Sequence, residues 1–159
     1  MSPLYVDSLP AAVIRALEMI KDYRLSQPVS SEPMLLAMIN SGFPEAFQNN
    51  IALSILRKFA GDCGFRWAGG LALGAGGAVD GKPLKNAGGM VRNVIKSLDT
   101  AAAALAEGKE IPQEAAEMMA KPLMPKWMMP MMGCFMWKNQ AKKFGAQKRL
   151  DDRLYEIRD

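Results

Sequence analysis

The residues best suited to chemistry lie in two loops of small side chains, Asn40-Ser41-Gly42-Phe43-Pro44-Glu45 and Gly74-Ala75-Gly76-Gly77. Each follows a short apolar run. Each would therefore present backbone N–H groups and little side-chain bulk at a strand end, where a flat ring or a second chain can come close. The glycine loop invites two nucleotide readings, and both fail on the letters. Gly76 to Lys82 has the spacing of a phosphate-binding P-loop, but Pro83 stands where a magnesium-holding Ser or Thr is required. Gly74-x-Gly76 would need Gly or Ala at position 79 to complete a dinucleotide fingerprint, and Val79 occupies it. The Asn40 to Glu45 loop places small polar groups, a turn and an aromatic ring together, so a planar cofactor could lie against it. An ordinary strand-to-helix loop, with Ser41 or Glu45 capping the next helix, is the competing reading.

Other chemistries are excluded by composition. The chain has no histidine, and Cys63 and Cys134 stand alone, which removes a zinc site, a Ser-His or Cys-His nucleophile pair and a histidine base. The net charge of +4 is uneven: Met1 to Val79 carries six basic and six acidic residues, Asp80 to Asp159 fourteen and ten. Lys138, Lys142, Lys143, Lys148 and Arg149 form a basic segment, but Asp151 and Asp152 follow at once and few aromatics interleave. A solvated helix face is favoured there over nucleic-acid binding. The apolar run from Trp127 to Trp137 is interrupted by Pro130 and falls short of the ~20 residues that a membrane span needs. The N-terminus lacks the basic start and apolar core of a secretion signal, so the cytoplasm is the default compartment.

Elements that would position the two loops can be read from periodicity. Val13, Ile14, Leu17 and Ile20 recur at helical spacing after Asp7, Ser8 and Pro10, which suit a helix start. After a loop from Ser26 to Pro33, Met34 to Ile39 is a continuous apolar run of the kind buried on both faces of a parallel sheet. Phe47, Ile51, Ile55 and Phe59 at four-residue steps predict a second amphipathic helix, closed by Gly61 and Gly64. Phe65 to Leu73 is a second buried strand, and the two strands with their crossover helix make a right-handed βαβ unit with both loops at the strands' carboxyl ends. Val91, Val94, Ile95, Leu98, Ala102 and Leu105 mark a third long helix expected to cover one face of the sheet. Beyond it, Pro112, Pro122, Pro125 and Pro130 cut the chain into a short acidic helix, a turn and a Met- and Trp-rich segment that becomes a basic helix. Eight of the thirteen methionines fall between Met118 and Met136. Packing or a dimer contact is the first reading of them, a membrane-surface or partner-peptide role the second.

These residues together resemble the flavodoxin-like NAD(P)H-dependent FMN reductases and related quinone oxidoreductases. Pro3-Leu4-Tyr5-Val6-Asp7-Ser8-Leu9-Pro10 resembles the loop after that family's third strand, and Ile39 to Glu45 the loop after its fourth. Arg66 to Gly74 with Gly76 and Gly77 resembles the fifth strand and its loop. Lys121 to Trp127 and Trp137 to Gly145 resemble the C-terminal extension of one subgroup. The resemblance implies an α/β fold, part of a flavodoxin-like three-layer arrangement with parallel strands flanked by helices. Residues 1–108 would be the C-terminal part of that domain, and residues 109–159 an irregular, helical, Met-rich extension. It implies a flavoprotein oxidoreductase in which NAD(P)H reduces FMN, with Pro3, Leu4, Tyr5, Ser41, Gly42, Phe43, Gly76 and Gly77 as contacts to the flavin ring. It assigns no catalytic acid or base, because the cofactor carries the chemistry.

The family's phosphate loop, commonly Gly-Ser-Pro followed by a basic residue and a helix start, has no counterpart in this sequence. Nor do its first strands. The expectation is therefore a truncated or split flavoprotein that binds FMN weakly by itself for want of the phosphate grip, and that something else completes, because two parallel strands alone expose two sheet edges. A missing N-terminal half is the first candidate for completing it, and a self-completing homo-oligomer the second. The rival from another class is a non-catalytic remnant or interaction module with empty loops.

Overall fold

Backbone pairing turns the two apolar runs into neighbouring parallel strands and adds a third that periodicity could not reveal. In this computed structural model the structure describes residues 1–5, 7–26, 31–79, 83–125 and 127–152. Strand β1 is Ser2–Pro3, β2 is Met34–Asn40 and β3 is Arg66–Leu73; the sheet order is β1-β2-β3 and both pairings are parallel. The chain is thus a mixed α/β protein with one open sheet. The described residues form two compact units, Met1–Leu123 and Met124–Asp159.

In the first unit, helix α1 (Ala11–Ser26) connects β1 to β2, and helix α2 (Asn50–Asp62) connects β2 to β3. Alternation along β2 sends Ala37 and Ile39 into a core with Leu4, Leu9, Ala52 and Leu56. Val13, Ile14 and Leu17 of α1 and Leu53 and Ile55 of α2 pack onto this cluster. For α1 the expected residues Val13, Ile14 and Leu17 face the core while Ile20 is exposed. For α2 the expected stripe is displaced: Phe47 and Ile51 are exposed, and the buried residues are Leu56 with Ala52 and Ala60, small side chains that a count of large apolar residues passes over. Arg24, at the end of α1, fastens the opposite end of the sheet. Its Nε donates to the Cys63 carbonyl at 2.5 Å, and Nη2 donates to the Gly64 and Ser31 carbonyls at 2.9 and 3.3 Å. Its guanidinium also lies 4.2 Å from the centre of the Phe65 ring. Gly64 is at φ 69 and the Phe65 N–H donates to the Ala60 carbonyl, the backbone lock that ends α2 and turns the chain into β3.

Helices α3 (Arg92–Ala106) and α4 (Gln113–Ala120) complete the unit. The sequence predicts that the third long helix covers the sheet; α3 packs chiefly against α4, and it is α4 that lies against β3. Ser97, fully buried on α3, donates its hydroxyl to the Ala115 carbonyl at 2.6 Å and joins the two helices. The segment between them runs beside β3: Ile111 N–H donates to the Ala68 carbonyl at 2.8 Å, at a bulge where the β2–β3 register slips past Ala68. Gly69, at φ 133, faces the Ile111 side chain so closely that a Cβ there would overlap it. The unit boundary falls after Leu123, so α4 belongs with the sheet.

The second unit is built on helix α5 (Met128–Lys143), followed by a 3-10 turn at Gln147–Arg149. Pro130 does not break this helix. It sits in the first turn, where its missing N–H has no intrahelical partner to lose. The helix ends at Gly145, φ 65, with Ala146 N–H donating to the Ala141 carbonyl at 2.8 Å. Among the described residues no helix is long and apolar enough to cross a membrane. Val6, Pro28, Asp80, Gly81, Lys82 and Lys126, which the sequence readings touch, lie outside the described residues.

Candidate functional site

Parallel neighbours point their carboxyl ends the same way, so the sheet order gathers three loops along one rim: Leu4–Leu9 after β1, Ser41–Glu45 after β2 and Gly74–Val79 after β3. Backbone hydrogen bonds tie them into one surface. Leu4 N–H donates to the Asn40 carbonyl at 2.8 Å and Ser41 N–H to the Leu73 carbonyl at 3.0 Å. Ala75 N–H donates to the Phe43 carbonyl at 2.6 Å and Gly76 N–H to the Ser41 carbonyl at 2.8 Å. Seven of the eight residues expected as ring contacts therefore sit in adjoining loops, and the eighth, Pro3, is the last residue of β1.

Their roles differ. Leu4 and Ser41 are buried and form the floor, whereas Tyr5 and Phe43 stand out at 64% and 51% exposure. Pro3, Gly42 and Gly77 are exposed, and Gly76 is half-buried. A Cβ at Gly42 or Gly77 would meet nothing within 4 Å, so open space lies above both. A Cβ at Gly76 would come within 2.5 Å of the Asn40 side-chain amide, which accounts for glycine there by close approach. The first loop closes on itself through reciprocal bonds between Tyr5 and Ser8, at 2.9 and 3.1 Å, with Asp7 at φ 60. Asp7 thus serves a turn, for which its short polar side chain is suited. The Ser41 hydroxyl donates to the Phe43 carbonyl at 3.4 Å rather than capping α2, and Glu45 stands at the N-cap position of the 3-10 turn Ala46–Asn49.

Two residues hold this rim together, and the first of them, Asn49, escaped the sequence reading. Asn49, fully buried at the start of α2, donates its amide to the Leu73 carbonyl at 3.1 Å, so that carbonyl receives both Ser41 and Asn49. Its Oδ1 is buried without a hydrogen-bond partner. The sequence signal was there, an Asn-Asn pair between Phe47 and Ile51 of the periodic run, but a polar pair inside such a run gives no sign of a tie to the neighbouring strand. Gly74 is the second. A Cβ there would lie 2.9 Å from the Pro44 carbonyl carbon and 3.1 Å from the Ala46 nitrogen. The backbone of the second loop therefore rests directly on the end of β3.

Acid-base and metal chemistry find little here. Among the described residues no group of three or more His, Cys, Asp or Glu could hold a metal ion. Cys63 is at the far end of the sheet, where burial pushes its thiol up and away from reactivity. What the rim can do is present a shallow floor of backbone, two exposed aromatic rings and two open glycines to a flat molecule. Comparison of the chain with protein-family models, with curated proteins and with solved structures finds no match.

Proposed function

We propose that the Met1–Leu123 unit is the C-terminal part of a flavodoxin-like NAD(P)H-dependent oxidoreductase and holds the flavin ring of FMN on this rim. The observation that carries the reading is the joining of three loops at the carboxyl ends of parallel strands, topped by Tyr5, Gly42, Phe43 and Gly77. The ring part of the cofactor fits this surface, because the glycines leave room and the aromatic rings offer π faces. When bound, FMN would accept a hydride from NAD(P)H and deliver electrons to a quinone, a free flavin or another acceptor. The chain's residues would bind and orient the ring: Leu4 and Ser41 fix the floor, and Phe43 and Tyr5 would contact it and shield it from water. None of them need move a proton, which suits a chain without histidine.

The phosphate end of FMN is a different matter, since the sequence holds no Gly-Ser-Pro loop. A complement that adds strands on the β1 side would supply it. β1 pairs only with Ile39 and Asn40, so Met34 to Met38 have no strand partner on that side among the described residues. A groove of about 200 Å³ runs along this edge, lined by Ser2, Val13, Leu35, Met38 and Leu56 among others. The same open edge favours a second reading, an interaction module that takes an extended chain there and binds no flavin.

One titration separates them. Lumiflavin, riboflavin and FMN are added to the purified chain and flavin fluorescence is followed. Ring binding without a phosphate grip predicts weak dissociation constants equal within about threefold for all three, and a roughly tenfold loss in Phe43→Ser from the missing stacking contact. No quenching by any of the three, or quenching indifferent to Phe43→Ser and Tyr5→Ser, overturns the flavin reading and leaves the interaction module.

A further inference from the structure

From Trp127 to Arg149 the chain carries five cations, Lys138, Lys142, Lys143, Lys148 and Arg149, and no Asp or Glu. Helix α5 separates apolar from basic residues along its length. Trp127, Met131 and Phe135 follow one another at four-residue steps, and Lys138 and Lys142 continue the same stripe. Trp127, Met131 and Phe135 are 70%, 66% and 67% exposed. With Met128 and Met132 they border an open groove of about 330 Å³. Arg149 is paired with Asp152 at 2.8 Å, whereas none of the four lysines makes an ion pair among the described residues.

Such a surface needs an occupant that takes both halves. A second copy meeting the apolar stripe would bury on the order of 1,000 Å² in total, below what usually holds a specific dimer. It would also leave the lysines of both copies without anions. An anionic lipid surface satisfies each half. Hydrocarbon at the headgroup boundary accepts Trp, Met and Phe, and lipid phosphates neutralise the lysines. The stripe from Trp127 to Phe135 is about 12 Å long, enough to sink into that boundary and too short to cross it.

We propose that the Met124–Asp159 unit docks peripherally on anionic lipid bilayers, inserting the Trp127–Met131–Phe135 stripe and placing Lys138, Lys142, Lys143 and Lys148 on the phosphates. This stands independently of any flavin on the first unit.

Flotation of the full chain with vesicles tests it, using phosphatidylcholine alone against phosphatidylcholine mixed with phosphatidylglycerol. The expected result is binding at least about tenfold stronger to the anionic vesicles, reversed by molar salt, with a blue shift of tryptophan emission on binding. The variant Lys138→Glu/Lys142→Glu/Lys143→Glu should bind at least about a hundredfold more weakly. Met131→Ser/Phe135→Ser should keep a weak, salt-sensitive attachment and lose the blue shift. All these changes are at exposed positions, so folding is checked simply by an unchanged far-UV spectrum. Equal partition to neutral vesicles, or no flotation, overturns the proposal. So does a stable dimer by light scattering that already shields the tryptophans without lipid, which would assign the stripe to a second copy.

Discussion

Gly74→Ala would force a methyl group against backbone that has no way to swing aside. The new Cβ would stand 2.9 Å from the Pro44 carbonyl carbon and 3.1 Å from the Ala46 nitrogen, and closer still to the Pro44 oxygen. Comfortable contact lies near 3.5 Å or beyond, so the Ser41–Glu45 loop must withdraw from β3 by about 1 Å. That withdrawal stretches Ser41 N–H to Leu73, Ala75 N–H to Phe43 and Gly76 N–H to Ser41, each contributing about 1 kcal/mol net. Overpacking of this kind typically costs about 1–3 kcal/mol, and partial loss of the three bonds places the expected effect near the top, at about 3 kcal/mol. Urea denaturation followed by circular dichroism measures it, with the m-value expected to stay constant. Gly42→Ala and Gly77→Ala are the controls. Both methyls enter open space at ordinary φ, so each should change stability by no more than about 0.5 kcal/mol. If Gly74→Ala unfolds within about 0.5 kcal/mol of the parent, the loop does not rest on β3 and the rim is not held fixed by that contact.

Three further outcomes are expected. Asn49→Ala should cost about 1 kcal/mol, since one bond to Leu73 is lost while the partnerless Oδ1 is removed with it. Asn49→Asp should cost about 3 kcal/mol or more at neutral pH. Burial raises that carboxyl's value in the folded state above the unfolded ~3.9, so the gap between the two variants should close as pH falls below about 4 and widen as it rises; melts at the two pH extremes check this. Arg24→Ala should lower stability by about 1–2 kcal/mol through loss of its carbonyl bonds and the Phe65 contact, and Arg24→Lys should recover less than half of that, because a single ammonium cannot span three acceptors. A thiol reagent should modify exposed Cys134 in the native protein and buried Cys63 only after denaturation, and raising the pH moderately should not bring Cys63 forward, since burial holds its thiol up.

The parts of the fold that were legible are those whose burial is periodic. Met34 to Ile39, and Phe65 to Leu73 apart from Arg66, read as strands because they are short apolar runs, with β3 packed by both α2 and α4. Helices α1 and α3 show stripes because one side of each is packed, whereas in α2 the buried side is carried by Ala52, Leu56 and Ala60 rather than by Phe47 and Ile51. β1 was illegible for the opposite reason. Ser2–Pro3 is held by two register positions on β2 and by Leu4 N–H on Asn40, all backbone, so side-chain pattern carries no trace of it. Pro130 misled because its meaning depends on where a helix starts, and a start at Met128 turns a breaker into a tolerated first-turn residue. The place of α4 against β3 was hidden in the same way: Ala115 and Met119 are fully buried, but an eight-residue helix offers too few turns to declare a face.

The candidate site divides along the same line, and the division decides which variants inform. The two loops were found by composition, since small residues at strand ends are visible as letters. Their mutual position is set by backbone bonds, by Asn49 reaching Leu73, and by the absence of a Cβ at Gly74. Geometry and surface are thus carried by different residues. Tyr5 and Phe43 are exposed and make none of the ties between the loops with their side chains, so their substitution should change what the rim binds while leaving its shape intact. Gly74 and Asn49 touch no proposed ligand, yet their substitution should displace the floor on which Tyr5 and Phe43 stand. A ligand that depends on the rim must therefore respond to both classes, the first without loss of stability and the second with it. A ligand that responds only to the second is bound elsewhere, on a surface that merely requires the sheet to be folded.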